Sequence, residues 1–259
     1  MSTAGPRVTT ATDGAVRVLL MARPEARNAM DTAMLSALLD ALADAVGDAE
    51  IRAIVLSGQG GAFSAGADLH EPLDHQGLVR RTELFAEVYE AVTICPKPTI
   101  AAVSGPCVGG GAEVAAGCDL RVADPTATFR FPGAALGFPV GPARLVGLVG
   151  LGNAKDLVLT SRTIDVAEAL RVGLVQRVTD AGEALATATA IAHAIAANNR
   201  HAVAFLKQQF ARFSGVGDRT AAENDALRGL AEAGGNYDAL TMPDPKRVGG
   251  WGTTTFENR

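Results

Sequence analysis

Glu113 stands three residues after Gly110, on a short segment that reads Gly105-Pro-Cys-Val-Gly-Gly-Gly-Ala-Glu113. An apolar strand expected over 99–103 runs into the glycines, and a small-residue helix is expected to follow. Residues three apart on a helix share a side. Glycine lets a ligand approach a backbone N–H closely, and a helix start leaves that N–H unpaired and partly positive. An anion-binding N–H beside a carboxylate suits removal of a proton next to a carbonyl whose oxygen becomes negative. Read alone, the glycine run serves a tight turn and close helix packing equally well. No Gly-Lys-Ser/Thr follows, which excludes a Walker-type phosphate loop.

A second segment repeats the design. The strand expected at 52–57 ends in a turn, and Gly60-Gly-Ala-Phe-Ser-Ala-Gly-Ala-Asp-Leu69 follows, read as a glycine-rich turn and a helix start. It offers a second N–H, and two N–H groups converging on one oxygen make an oxyanion hole.

Four stretches carry a resemblance to a known family: Arg23-Pro-Glu-Ala-Arg-Asn-Ala29, Phe63-Ser-Ala-Gly-Ala-Asp-Leu69, Lys97-Pro-Thr-Ile-Ala-Ala-Val-Ser-Gly105 and Gly109-Gly-Gly-Ala-Glu-Val-Ala-Ala-Gly-Cys-Asp119. A fifth is Ala167-Glu-Ala-Leu-Arg-Val-Gly-Leu-Val175. In order and spacing the chain resembles the crotonase superfamily, the enoyl-CoA hydratase/isomerase group, over roughly residues 15–210. The resemblance implies an α/β fold: a crotonase-like ββα spiral core over 1–198, then C-terminal helices and tail over 199–259 that make trimer contacts. It implies an acyl-CoA thioester as partner, coenzyme A entering as part of the substrate with no separate cofactor, and a homotrimer or dimer of trimers.

Residue by residue, the resemblance implies that the N–H groups of Ala67 and Gly110 form the oxyanion hole and that Glu113 is a catalytic carboxylate. Ala65, Ala67, Asp68, Leu69, His70 and Gly110 would line the CoA, with Arg27 approaching it. For His70 a solvated loop histidine, and for Arg27 an exposed structural arginine, are the competing readings. The second glutamate of the hydratases is missing: in Phe129-Arg-Phe-Pro-Gly133 its place is taken by Gly133. Between Asp124 and Asp156 there is no Asp, Glu or His at all. A helper acid would have to come from Glu71, Asp74 or His75, each of which also reads as loop surface. If a missing carboxylate is all that limits hydration, Gly133→Glu should raise it. The alternatives are a single-base isomerase, thioesterase or decarboxylase on acyl-CoA, or a CoA-binding protein with little catalysis.

The remaining sequence must position these groups. Of 259 residues, 48% are apolar and 20% charged, as in soluble globular proteins. The formal charge of -5 argues against nucleic-acid binding. No stretch reads as a membrane span or signal peptide. Cys95, Cys107 and Cys118 have no zinc spacing, so no metal is expected; they read as reduced, buried thiols of a cytoplasmic protein. Met34, Leu35, Leu38, Leu39, Leu42 and Val46 recur at helical spacing after Asp31, with Gly47 as a stop. Strands are expected at 15–21, 52–57, 99–103 and 118–123, and mainly helix at 142–160, 165–171 and 182–212. The apolar run 129–140 favours a hydrophobic acyl group. Arg144, after a Gly-Pro turn, reads as a loop or trimer contact; His193 and His201 are given no role. Residues 234–259 lose periodicity, and Pro243 to Gly252 break the aromatic, Lys-Arg ending that relatives often carry.

Overall fold

The computed structural model describes residues 5–236. In chain order its elements are Val8–Asp13 (β1), Val16–Met21 (β2), Thr32–Gly47 (α1), Ala53–Gly58 (β3), His75–Thr93 (α2), Thr99–Val103 (β4), Pro106–Val108 (β5), Gly110–Gly117 (α3), Leu120–Ala123 (β6), Thr128–Arg130 (β7), Gly133–Leu136 (α4), Pro142–Thr160 (α5), Thr163–Asp165 (β8), Val166–Arg171 (α6), Arg177–Val178 (β9), Ala184–Ala196 (α7), Arg200–Ser214 (α8) and Val216–Glu232 (α9). The expected strands and the amphipathic α1 are in place. The Asp31 side chain caps α1 by accepting the Met34 N–H at 2.7 Å.

Six strands form one sheet in the order β1-β2-β3-β4-β6-β9, and β5-β7-β8 form a second. Only the β1–β2 pair in the large sheet is antiparallel. Each turn of chain adds one strand to the large sheet, one extended segment to the small one, and a helix. β4, β5 and α3 make one such turn, and β6, β7 and α4 the next. In the turn before them, β3 is followed by Ser64, bridged to Cys107 of β5, and then by α2. This is a ββα spiral, although no sequence repeat announces it. The strands β3 and β4 are buried on both faces, as parallel strands between layers must be. One face carries Ile54, Leu56, Ala101 and Val103 into the main core with α1, α2 and α3. The other carries Ala53, Val55, Ile100 and Ala102 against Ala184, Ala188 and Ala192 of α7.

Several expectations need correction. No helix starts at Gly66; the segment stays irregular, and the next helix is α2, whose N-cap is Asp74. The Ala67 N–H therefore has no helix dipole behind it. The helical run expected over 182–212 splits at Asn198-Asn199, and Asn199 caps α8. The run at 142–160 is α5 to the residue, but Gly150, at φ 77°, kinks it. α2 was not expected; α9 is one of the expected C-terminal helices and packs on α2 and α5. The expectations for residues 243–252 lie outside the described residues.

Candidate active site

Two glycine loops meet because the backbone at both has no side chain in the way. Ser64 donates its N–H to the Pro106 carbonyl, and its own carbonyl accepts from the Val108 N–H at 2.9 Å. A methyl group on Gly66 would stand 2.7 Å from the Val108 carbonyl oxygen and 3.2 Å from the Gly110 nitrogen, and Gly66 also sits at φ 89°. Only glycine fits there. Ala67, the next residue, forms a parallel bridge with Met30 in which the hydrogen bonds run through Gly66 and Asp68. Its own N–H has no acceptor among the described residues. Gly110 is the first residue of α3, so its N–H has no acceptor within the helix.

Both residues line one apolar cavity of about 290 Å³. Ala65 and Gly66 edge it on one side, and Leu136, Phe138 and Val140 on another. Phe85 and Tyr89 of α2 and Leu227 of α9 complete it. The Phe85 ring presses on Gly110: a methyl group there would meet its Cε1 at 2.5 Å. Among the described residues no Asp, Glu or His lines the cavity.

Glu113 does not line the cavity. It is 1% exposed and lies behind the wall. Its Oε2 accepts from Arg144 Nε at 2.8 Å. Its Oε1 lies beside the turn at Gly141, 3.2 Å from where a methyl on that glycine would be. Arg144 also pairs with Glu223 of α9, and its guanidinium stands 4.8 Å over the Tyr89 ring. Arg144 is thus the partner of the candidate base, and its role within the fold is this pairing with Glu113 and Glu223. Burial pushes the Glu113 carboxyl up to about 7; the Arg144 charge opposes this and the Glu223 carboxylate adds to it.

The structure separates the other expected residues. Ala65, Ala67, Leu69 and Gly110 line the cavity; Arg27, Asp68 and His70 do not. Asp68 pairs with Arg23 at 2.9 Å, and burial of its carboxyl is outweighed by that bond, which holds its pKa below the usual value. Arg27 supplies a backbone carbonyl to Ala65 from a left-handed conformation at φ 50°. His70 is exposed. The three helper acids are placed elsewhere too: Glu71 accepts the Thr32 N–H and pairs with Arg81, Asp74 caps α2, and His75 begins it. At Gly133 the trouble is space. A methyl there would lie 2.8 Å from the Phe138 carbonyl oxygen and 2.9 Å from that of Val140, so Gly133→Glu cannot restore an acid without moving backbone. The wall from α2 was not foreseen. Its signal was the helical stripe Leu78, Thr82, Phe85 and Tyr89.

Comparison with known proteins identifies the family. The family model for enoyl-CoA hydratase/isomerase matches residues 11–233. A short-chain-enoyl-CoA hydratase of Clostridium acetobutylicum is 36% identical over 206 residues, covering 77% of this chain and 79% of the relative. The crystal structure of an enoyl-CoA hydratase/isomerase from Xanthobacter autotrophicus superposes with a TM-score of 0.81 at 29% identity, covering 93% of this chain and 90% of that one. An enoyl-CoA hydratase from Bacillus anthracis gives 0.76 at 29% identity, over 88% and 90% of the two chains. With its motifs, ββα spiral and paired glycine loops, the chain belongs to the enoyl-CoA hydratase/isomerase family of the crotonase superfamily.

Proposed function

We propose that this enzyme binds an acyl-CoA thioester, forms its enolate, and moves a proton with a single carboxylate. The observation that supports this most is the pair of unused N–H groups, Ala67 and Gly110, at one apolar cavity with a buried carboxylate behind it. The thioester oxygen accepts both N–H groups. Glu113 removes a proton from the adjacent carbon, the electron pair moves into the C–O bond, and the N–H groups hold the resulting negative oxygen. Returned to a different carbon, the same proton shifts a double bond. A carboxyl poised at about 7 suits both halves of that transfer. Addition of water needs a second acid, and none lines the cavity among the described residues. Isomerisation or another enolate reaction is therefore the favoured activity, with a hydrophobic acyl group. Placing the reaction in the cytoplasm rests on the three buried, free thiols.

A second reading is favoured by one observation: Arg144 holds Glu113 in a buried ion pair outside the cavity lining. On that reading the protein binds CoA thioesters with little catalysis. Incubation with a panel of saturated and unsaturated acyl-CoA thioesters, read by mass spectrometry for added water, a lost group or solvent deuterium, separates the two. Deuterium gain or a shifted double bond supports the enzyme reading, and tight binding with no change in any thioester supports the other.

The assembly follows the same resemblance. Phe205, Leu206, Phe210 and Phe213 of α8 are all exposed, the last at 77%. A second and third copy of this chain would cover them in a trimer, alone or stacked as a dimer of trimers.

A further inference from the structure

The polar side chains that face the cavity differ in one respect. Arg81 donates to the Asp68 carbonyl, Thr82 to that of Leu78 and Arg130 to that of Ser161. Tyr89 donates to nothing among the described residues, and no residue donates to its hydroxyl. The residue is only 4% exposed and lines the cavity, so its hydroxyl is held in the wall and reachable only from the cavity side. A phenol on a cavity wall with its O–H donor unused is available to a ligand.

Its position supplies one. The hydroxyl oxygen stands beside Gly110: a methyl built on that glycine would be 3.2 Å from it. The ring is fixed from two sides, by Phe85 with centroids 5.7 Å apart and by the Arg144 guanidinium at 4.8 Å. The same Arg144 holds Glu113, so the phenol and the carboxylate are set by one cation. We propose that the Tyr89 hydroxyl is a third donor to the substrate, giving a hydrogen bond to the enolate oxygen alongside the N–H groups of Ala67 and Gly110. No proton changes hands: the phenol keeps its hydrogen before, during and after the step. Burial and the nearby Glu113 charge push its ionisation far above the working pH range, which keeps it a donor.

This inference rests on the enolate reading above, and its test keeps the two apart. Tyr89→Phe removes only the oxygen and leaves the ring against Arg144. Wild-type and variant proteins are incubated in D2O with butyryl-, hexanoyl- and decanoyl-CoA, and exchange beside the thioester is followed by mass spectrometry. Loss of one oxyanion donor typically costs about 10²- to 10³-fold in kcat. The expected result is a fall of that size with KM little changed. The thermal midpoint should stay at the wild-type value, because the hydroxyl makes no bond within the fold. Exchange by Tyr89→Phe at the wild-type rate overturns the third donor alone. Absence of exchange by the wild-type protein on all three thioesters overturns the enolate reading and the donor with it.

Discussion

At Glu113 burial and an ion pair pull in opposite directions. Burial favours the neutral acid, Arg144 favours the carboxylate, and Glu223 draws part of the Arg144 charge away. With the carboxyl at about 7, the base is half formed near neutrality. Exchange activity should therefore rise about tenfold per pH unit below 7 and level off above it. Glu223→Gln removes a neighbouring negative charge and leaves Arg144 to Glu113, so the rising limb should move to lower pH. A pH–rate profile of both proteins checks this, and an unmoved limb would show that Glu223 does not tune the base. Arg144→Met leaves two carboxylates facing each other in the interior. Breaking a buried pair in this way costs about 3–5 kcal/mol, measurable as a lower urea midpoint. Glu113 and its glycines were legible in the sequence because they are neighbours in the chain. Its partners were not, since they lie 31 and 110 positions away and only the packing of α5 and α9 brings them in.

The elements around the site differ in how far the sequence discloses them. α1 shows a regular apolar stripe behind a capping Asp31, and the structure keeps both. α2 buries Arg81 beside its stripe of Leu78, Thr82, Phe85 and Tyr89, and that charge obscures the stripe in the sequence. The short strands β5, β7 and β8 have three residues each, too few for any period to show. The α4 turn illustrates a constraint that residue type alone could not give. Gly133 has no left-handed φ, yet the backbone carbonyls of Phe138 and Val140 close over its Cα. Gly133→Ala should destabilise the protein by about 1–3 kcal/mol as an overpacked site, and Gly133→Glu should not raise hydration. Thermal unfolding together with a crotonyl-CoA assay decides the point; a stable variant with faster hydration would contradict this view of the turn.

For the whole molecule, the spiral explains why two distant glycine motifs form one site. Residues 64–67 and 107–110 occupy equivalent places on successive turns, so the two loops stack and edge the same cavity. The order of the motifs was readable, whereas their stacking depends on strand pairing that has no repeat in sequence. Assembly belongs to this scale as well. α8 has no buried residue in the single chain and shows an aromatic face. Phe210→Glu, placing a charge in that face, should turn a trimer or hexamer into monomers by light scattering. A wild-type protein that is already monomeric at micromolar concentration would contradict the proposed assembly. The chemistry of the whole site turns on whether Glu113, from behind the cavity wall, reaches the carbon beside the thioester. The most direct measurement is uptake of solvent deuterium at that carbon of an acyl-CoA, compared between the wild-type protein and Glu113→Gln. The account predicts exchange by the wild-type protein and a loss of at least about 10²-fold in the variant; equal exchange by the two proteins would contradict it.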